Sequence, residues 1–292
     1  SDLPRHRRQV PSRATFLEAN PLAGPIYVEG VTERDSLAVE LQAIELTRDY
    51  GLTLLAPDHG LLSRTEALGM QPAAGESIPR HLYRWRIDVP NGLAEVANPL
   101  GCDQLRIPLQ PTLGCLGVCP PRGQVESSLC AGVYGGNLDL PLLRPGATIW
   151  LPVYEPGGLL MLGDIHAAQG PGEIVGGGIE TSGVVYIAVR RIPNRPTPAP
   201  RLLVDGKLFA VATASDLRTA VSTAYARLLD WLAADLGLNR WDAYQLVSQA
   251  GHFELGGIAI APHVTAAAGL PVDLLPDHSR QELKQWQSSA GE

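Results

Sequence analysis

Apolar and polar residues alternate along much of the first two thirds of the chain, with the two-residue period of half-buried strands. Residues 36–46 are the clearest case, because Val39 and Leu41 flank Glu40 and Gln42 follows. Side chains at every second position of a strand lie on the same face. Further strands are predicted at residues 84–89, 147–154, 159–162, 173–179 and 183–192. Turn residues separate them at short intervals, as in a sandwich or a barrel.

A proline-rich segment follows Ile192 and divides the chain. Residues 193–200 contain four prolines, so they can hardly be helical or lie in the centre of a sheet. We therefore predict two regions joined by this connector. Residues 1–192 form the β-sandwich region with the candidate site, and residues 201–292 form an α/β region packed on it.

Helical periodicity is confined to the C-terminal region. One helix, with Ser215 as its N-cap, is predicted to end before Gly237, because five apolar residues recur at spacings of three or four: Leu217, Val221, Ala224, Leu228 and Trp231. Asn239 is predicted to cap a second helix that Gly251 ends, and residues 253–260 are predicted to form a strand. The fold class is therefore mostly β, of the α+β type.

Composition favours a turn-rich β protein and excludes some classes of partner. The 292 residues include 31 Gly and 25 Pro, and only 5% are aromatic, as in proteins with many turns. The net charge is −7 and no basic stripe is present to neutralise phosphates, so we expect no nucleic acid partner. No apolar run approaches the roughly 20 residues that span a bilayer, so we expect no membrane partner.

The cysteines are expected to be ordinary buried thiols in a reducing, cytoplasmic compartment. All four lie between Cys102 and Cys130 without the paired C-x-x-C spacing of a zinc ribbon. A disulfide or a catalytic thiol is the alternative. The only two lysines, Lys207 and Lys284, are distant from the cysteines in sequence, so nothing local activates a thiol nucleophile.

One short segment concentrates polar side chains among small residues. Asp164, His166, Gln169 and Glu173 fall within ten residues, separated mostly by Ala, Gly and Pro. Asp and His two residues apart on a strand point to the same face, as a shared metal ion or a proton relay requires. The alternative is a glycine-rich hairpin with solvated charges.

Four motifs in this chain resemble those of the acetamidase/formamidase family, in the family's order. The sequence D-I-H-A-A-Q-G-P-G-E at 164–173 resembles the signature G-D-x-H-A-x-Q-G-D-G-E. The sequence G-G-N-L-D at 135–139 resembles G-G-N-x-D, and residues 20–30 and 177–180 resemble two further motifs. The resemblance implies a jelly-roll-like β sandwich with a smaller C-terminal α/β region.

The resemblance also implies an amidohydrolase that cleaves short aliphatic amides, of the formamide or acetamide type. Such a reaction needs an activated water, stabilisation of charge at the carbonyl oxygen and a proton for the departing ammonia. A divalent metal held by carboxylates and His supplies the first two. The candidate ligands, expected to converge on one pocket, are Asp139, Asp164 and His166, with Glu180 as a further one. Mixed oxygen and nitrogen ligands suit zinc, with calcium as the alternative.

Three further residues are predicted to act on the substrate. Glu173 is the predicted general base, which takes a proton from water and returns it to nitrogen. Asn137 and Gln169 are predicted to hydrogen-bond the amide or the developing oxyanion. From the residues alone, a turn is the favoured interpretation of Asn137 and Asp139. The expected partners are a small amide substrate and further copies of the chain, in a homo-oligomer (a dimer or trimer).

Two departures from the family pattern keep a second hypothesis open. Pro171 stands where the family has an acidic residue, and residues 1–18 show no counterpart of the family's N-terminal segment with its His-containing motif. These departures favour a binding or accessory protein that kept the scaffold and lost turnover. The retained acidic and histidine residues of the site favour the enzyme.

Overall fold

The computed structural model describes residues 20–62, 78–96, 99–101, 104–121, 123–259 and 263–288. The predicted N-terminal departure at residues 1–18, and Cys102, lie outside these residues. In chain order, the first strands are β1 (Leu22–Ile26), β2 (Ser36–Leu46), β3 (Tyr50–Leu55), β4 (His81–Asp88), β5 (Leu93–Val96), β6 (Arg106–Pro108), β7 (Thr112–Gly117), β8 (Ala131–Gly132) and β9 (Gly135–Asn137). The later strands are β10 (Thr148–Pro152), β11 (Leu160–His166), β12 (Glu180–Thr181), β13 (Gly183–Ile192), β14 (Arg201–Val204), β15 (Lys207–Ala214), β16 (His252–Leu255) and β17 (Val264–Pro271).

These strands form two sheets whose pairings are all antiparallel. The first sheet has the order β6-β5-β4-β3-β12-β11-β7-β9-β8, and β1 pairs with β11. The second has the order β13-β2-β10-β14-β15-β17-β16. The predicted mostly β fold is confirmed. Among the described residues, no helix is long and apolar enough to cross a bilayer.

The two-residue period of the strands explains where the core lies. On β2, Leu37, Val39 and Leu41 belong to the core between the two sheets, whereas Ala38 belongs to a second core on the other face. β10 and β15 alternate in the same way. Burying each such Leu contributes about 1.5–3 kcal/mol, so the second sheet is held from both sides.

Helices cover the outer face of the second sheet. They are α1 (Leu217–Asp230), α2 (Arg240–Ala250) and α3 (Asp277–Ser288). On α1, Ala220, Ala224 and Leu228 are buried at four-residue spacing against the second core. One turn of π-helix, Trp231–Asp235, extends α1, so the helical segment ends before Gly237 as predicted.

The helix caps confirm one prediction and correct another. Asn239 caps α2, since its side chain accepts from the backbone N–H groups of Trp241 and Asp242. Ser215 is not the N-cap of α1. That position belongs to Asp216, which has an extended backbone and accepts from the N–H of Thr219 at 3.0 Å. The helix begins at Leu217, one residue later than a cap at Ser215 requires.

One predicted strand is wrong. Residues 173–179 form turns and an irregular segment that leads into β12. The segment contains Gly176, Gly177 and Gly178 and follows Gly172, and positive φ values of 83° at Gly172 and 86° at Gly176 are incompatible with a regular strand. The strand predicted at residues 253–260 is also shorter than expected: it corresponds to β16, which ends at Leu255.

The strands on the two sides of the proline-rich connector share one sheet. β10 pairs with β2 and also with β14, which lies beyond residues 193–200. The second sheet therefore spans the predicted boundary. The division into a 1–192 and a 201–292 region stays a prediction about how the chain is organised.

Candidate functional site

The centre of the candidate site is the end of β11. Leu162 and Ile165 both belong to the core between the sheets, although residues three apart on a regular strand point to opposite faces. Asp164 lies between them with a left-handed backbone, φ 60°, which accommodates the change of face. His166 then ends the strand opposite Glu180 of β12, so the antiparallel pairing brings an imidazole and a carboxylate together.

The predicted ligands and the predicted base converge around the imidazole of His166. Its Nε2 lies 3.2 Å from Oε1 of Glu180, 3.6 Å from Oδ1 of Asp164 and 3.8 Å from Oε1 of Glu173. Asp139 offers a carboxylate oxygen within 4.8 Å of ligand atoms on His166 and Glu173. Four carboxylates from residues up to 41 positions apart therefore surround one histidine.

Three of these carboxylates are presented by strained backbone. Positive φ values of 46°, 60° and 46° occur at Asp139, Asp164 and Glu173. For a residue with a side chain, this backbone conformation raises the free energy of the folded state by on the order of 1–3 kcal/mol. The neighbouring structure holds them there, for example through the bond from the Asp139 N–H to the carbonyl of Gly114. Backbone strain that is concentrated on charged, inward-facing residues is typical of a functional site.

Burial and mutual repulsion shift the titration of these groups. Burial, together with the charges of Glu173 and Asp164, raises the pKa of Asp139 well above its usual range. Burial raises the pKa of Glu173 to about 7, against the opposing effect of His166. Burial alone would lower the pKa of His166, but Glu180 and Asp164 raise it well above the ordinary value. The carboxyl groups therefore oppose one another's ionisation, and a bound cation would relieve that repulsion.

Gln169 fixes the orientation of the histidine ring. Its Nε2 donates to the backbone carbonyl of Asp139, which leaves its Oε1 to accept from Nδ1–H of His166 at 2.8 Å. Nε2 of His166 is thereby turned toward the carboxylates, the arrangement that metal-binding histidines usually have. Both ends of the Gln169 amide are thus engaged by the protein.

A network of three side chains, which we call the amide network, lies behind the carboxylates and consists of Asn20, Cys115 and Asn137. Nδ2 of Asn137 donates to Oδ2 of Asp139 at 2.7 Å. Nδ2 of Asn20 donates to Oδ1 of Asn137 at 2.9 Å and to Oδ2 of Asp164 at 3.0 Å. The Cys115 thiol also donates to Oδ1 of Asn137, at 2.8 Å.

Sequence reasoning gave two members of the amide network no role in the site. Asn20 is the first residue of the motif at residues 20–30, and this position was the one feature of the sequence that could have indicated a role in the site. Cys115 was expected to be an ordinary thiol. Cys115, Cys119 and Cys130 are free thiols, and burial together with the charges of Asp164 and Asp139 raises the pKa of the Cys115 thiol, which disfavours a nucleophilic thiolate.

Glycines leave the space that the polar side chains fill. A methyl group at Gly178 would lie 2.5 Å from Cγ of His166, and one at Gly114 would lie 2.6 Å from Oδ1 of Asp139. Distances under 3.0 Å are essentially never seen for real Cβ atoms. Pro171, the departure within the loop, is exposed.

The donor set fits a divalent metal. Two overlapping groups of residues each offer three ligand atoms that lie within 4.8 Å of one another. One group is Asp139, His166 and Glu173, and the other is Asp164, His166 and Glu180. Carboxylate oxygens combined with an imidazole nitrogen suit zinc and other first-row ions. The repulsion among the clustered carboxyl groups is the second feature that a cation would relieve.

A cavity of about 330 Å³ lies beside this cluster. Its lining includes Gln169 and Gly178, next to His166, and the apolar side chains of Trp85, Ile107 and Ile179. Within the cluster, the Glu180 side chain is 42% exposed, compared with 1% for His166 and 3% for Glu173. Solvent therefore reaches the cluster past Glu180.

Comparisons with known proteins agree on one family. The sequence model of the Acetamidase/Formamidase family matches residues 129–199. The chain is 44% identical over 165 residues to a formamidase from Methylophilus methylotrophus, an alignment that covers 48% of this chain and 40% of that protein. The chain thus spans less than half the length of the curated relatives it matches.

Solved structures give a more extensive match. An acetamidase from Bacillus halodurans is 32% identical, with a TM-score of 0.78 over 92% of this chain and 85% of that one. An acetamidase from Yersinia enterocolitica is also 32% identical, with a TM-score of 0.77 over 88% of this chain and 75% of that one. Sequence motifs, fold and site geometry lead to the same conclusion: this chain belongs to the acetamidase/formamidase family.

Proposed function

We propose that this chain is an amidohydrolase that cleaves short aliphatic amides, of the formamide or acetamide type, to a carboxylate and ammonia. The observation that carries this proposal is the buried His166 with four carboxylates around it. The names of similar proteins, a formamidase and two acetamidases, support the same reaction class.

A divalent metal, with zinc favoured and calcium as the alternative, would be held by four residues: Asp139, Asp164, His166 and Glu180. When bound, it would polarise the amide carbonyl and lower the pKa of water. Gln169 orients the imidazole, and Asn137 orients the carboxylate of Asp139. These contacts favour a positioning role for both amides, while their direct contact with substrate stays a prediction.

Glu173 is the proposed general base. It is buried, and its Oε1 lies 3.8 Å from the histidine nitrogen, within the same cluster. Glu173 takes a proton from the attacking water and passes it to the amide nitrogen, so that one water and one amide give a carboxylic acid and ammonia. Because Glu173 also belongs to one of the two possible ligand groups, its role as base must be separated from a role as ligand by experiment.

The cavity beside the cluster is the proposed site for the acyl group. Its apolar walls at Trp85 and Ile107 suit an alkyl chain, and its position beside Gln169 and Gly178 adjoins the imidazole. A volume of about 330 Å³ is at the lower end of the roughly 300–1,000 Å³ range of small-molecule sites.

We also propose a cytoplasmic location and a homo-oligomer, a dimer or trimer. The three free thiols among the described residues fit a reducing compartment. Light scattering on the purified protein measures the oligomeric state directly.

Ammonia release tests the proposed reaction. The purified protein is incubated with formamide, acetamide and propionamide, with and without added Zn²⁺, and its metal content is measured on the same samples. Glu173→Gln keeps the shape of the side chain but cannot accept the proton, so kcat should fall about 10²–10⁴-fold with metal content unchanged. Glu40→Gln, on β2 and away from the site, is the matched control and should keep full activity.

The outcomes separate the alternatives. Loss of metal together with activity in Glu173→Gln would make Glu173 a ligand, and near-normal turnover would move the role of base to Glu180. If the unmutated protein releases no ammonia from any of the three amides, with or without metal, the protein is the binding or accessory protein that Pro171 suggested.

A further inference from the structure

We propose that Asn20 and Cys115 are positioning residues, which lock the amide of Asn137 so that the carboxylates of Asp139 and Asp164 present fixed oxygens to the centre of the site. This inference rests on the proposed metal site, but it does not require that the chain hydrolyse amides. It assigns a role to two residues that lie 95 positions apart in the sequence.

The strand register explains why a cysteine is found in the amide network. Cys115 is on β7, directly opposite Asn137 of β9 on one side and Gly163 of β11 on the other. The thiol is buried, with the residue 1% exposed. It sits between the strand that carries Asn137 and the strand that carries Asp164.

The thiol is surrounded mainly by acceptors. Three oxygens lie within its reach: Oδ1 of Asn137 at 2.8 Å, the carbonyl of Ser128 at 3.5 Å and Oδ2 of Asp164 at 3.6 Å. A thiol in such surroundings keeps its proton and acts as a donor. Asn20 supplies the second donor to the same Oδ1 of Asn137, at 2.9 Å.

These two donors determine which way the Asn137 amide points. With Oδ1 occupied by Asn20 and Cys115, Nδ2 is directed to Oδ2 of Asp139 at 2.7 Å. A flipped amide would place N–H groups against the two donors and an oxygen against the carboxylate of Asp139. Every one of these contacts would become unfavourable, so only one orientation is compatible with the network.

The network also divides the carboxylate oxygens between two tasks. Oδ2 of Asp164 accepts from Asn20 at 3.0 Å, whereas Oδ1 of Asp164 faces Nε2 of His166 at 3.6 Å. In Asp139, Oδ2 is occupied by Asn137. Hydrogen bonds of this kind, made to the outer side of ligating groups, typically change metal affinity about 10–100-fold when they are removed.

The test measures Zn²⁺ affinity by isothermal titration calorimetry on metal-depleted protein, so that amidase turnover is not needed. Cys115→Ala removes the donor, and Zn²⁺ affinity should fall about 10-fold or more. Cys115→Ser keeps a hydroxyl donor and should recover most of the affinity. Cys119→Ala is the matched control, because this thiol lies outside the amide network, and its affinity should equal that of the unmutated protein.

The order of the Ala and Ser variants separates positioning from packing. If Cys115 only fills space, serine restores no affinity over alanine, because a buried hydroxyl adds desolvation cost without filling the volume of sulfur. If Cys115 is a donor, serine exceeds alanine in Zn²⁺ affinity whichever variant unfolds at the lower temperature. Equal affinities for Cys115→Ala and the unmutated protein would overturn the proposal.

A second variant tests the other donor. Asn20→Leu is nearly isosteric and removes the hydrogen bonds from Nδ2 to Asn137, to Asp164 and to the sulfur of Cys115, so Zn²⁺ affinity should again fall about 10-fold or more. Because both donors act on one amide and also contact each other at 3.6 Å, the double variant should lose less than the sum of the two single losses in free energy of Zn²⁺ binding. Strict additivity of the two losses would show that Asn20 and Cys115 act independently and would overturn the shared mechanism. Failure of the unmutated protein to bind Zn²⁺ would also overturn it. Zn²⁺ binding without ammonia release would leave this proposal standing and reject the proposed function alone.

Discussion

Gly114 is the position where one methyl group should disturb the carboxylates most directly. It lies on β7, and its Cα faces the carboxylates of Asp139 and Asp164. A Cβ added there would lie 2.6 Å from Oδ1 of Asp139 and closer still to Oδ2 of Asp164. Ordinary contact begins at 3.4 Å, so the Asp139 oxygen must move by about 0.8 Å and the Asp164 oxygen by more.

The expected effect of Gly114→Ala is therefore larger on the site than on the fold. Overpacking costs typically about 1–3 kcal/mol of stability, and Gly114 is not among the positions with positive φ, so alanine introduces no backbone strain. A displacement of about 1 Å in a catalytic arrangement lowers the rate about 10²-fold. We expect kcat/KM for acetamide to fall about 10²-fold, with weaker Zn²⁺ binding.

Calorimetry with Zn²⁺, ammonia release and thermal unfolding on the same sample measure these effects. Gly206→Asn is the matched glycine replacement, because Gly206 has φ 68° in a hairpin turn with nothing within 4 Å of an added Cβ, and asparagine tolerates that conformation. It should leave binding and turnover unchanged. Normal Zn²⁺ affinity and normal turnover in folded Gly114→Ala would refute the inference that Asp139 and Asp164 act at these positions.

Two further predictions concern the acid stability of the fold and the choice of substrate. Burial alone would raise the pKa of Asp35, but its hydrogen bonds with Thr32, Arg191 and Asn194 lower it. The ionised carboxylate therefore stabilises the fold above the unfolded pKa of about 3.9, and this stabilisation is lost as pH falls through the lower folded pKa. Asp35→Asn should lower the free energy of unfolding, measured with urea at pH 7, by about 2 kcal/mol, and this difference should shrink below about pH 4. A difference that does not change with pH would contradict this account. Ile107→Trp narrows the cavity, so KM for propionamide should rise about tenfold more than KM for formamide, whereas equal changes would place the acyl group elsewhere.

The sequence predicted the elements whose signal is local. The alternation on β2, the apolar spacing of the first helix and the cap of the second depend only on neighbouring residues, and these elements are present at close to the predicted bounds. α3 was not predicted, because its sequence is polar apart from Leu283 and Trp286, which it buries together with Ser279. The strand predicted at residues 173–179 failed because its glycines adopt conformations that the apolar pattern does not reveal.

For the site, the sequence by itself determined which side chains are the candidates for the chemistry. The motifs at 135–139 and 164–173 supplied Asp139, Asp164, His166 and Glu173, and the expectation that the first three converge agrees with the distances around His166. Local spacing could suggest that Asp164, His166 and Glu173 lie near one another, because they fall within ten residues. It could not specify the distances between groups on different strands, on which the charge balance depends.

Only the tertiary structure decided how those side chains are held. Pairing of β7 with both β9 and β11 places Cys115 between Asn137 and the strand of Asp164. β1 pairs with β11, so that Asn20, just before β1, reaches the side chains of Asn137 and Asp164. These residues are 22–144 positions apart along the chain. No local pattern encodes such contacts, because strand register depends on the packing of the whole sandwich rather than on the residues that happen to meet.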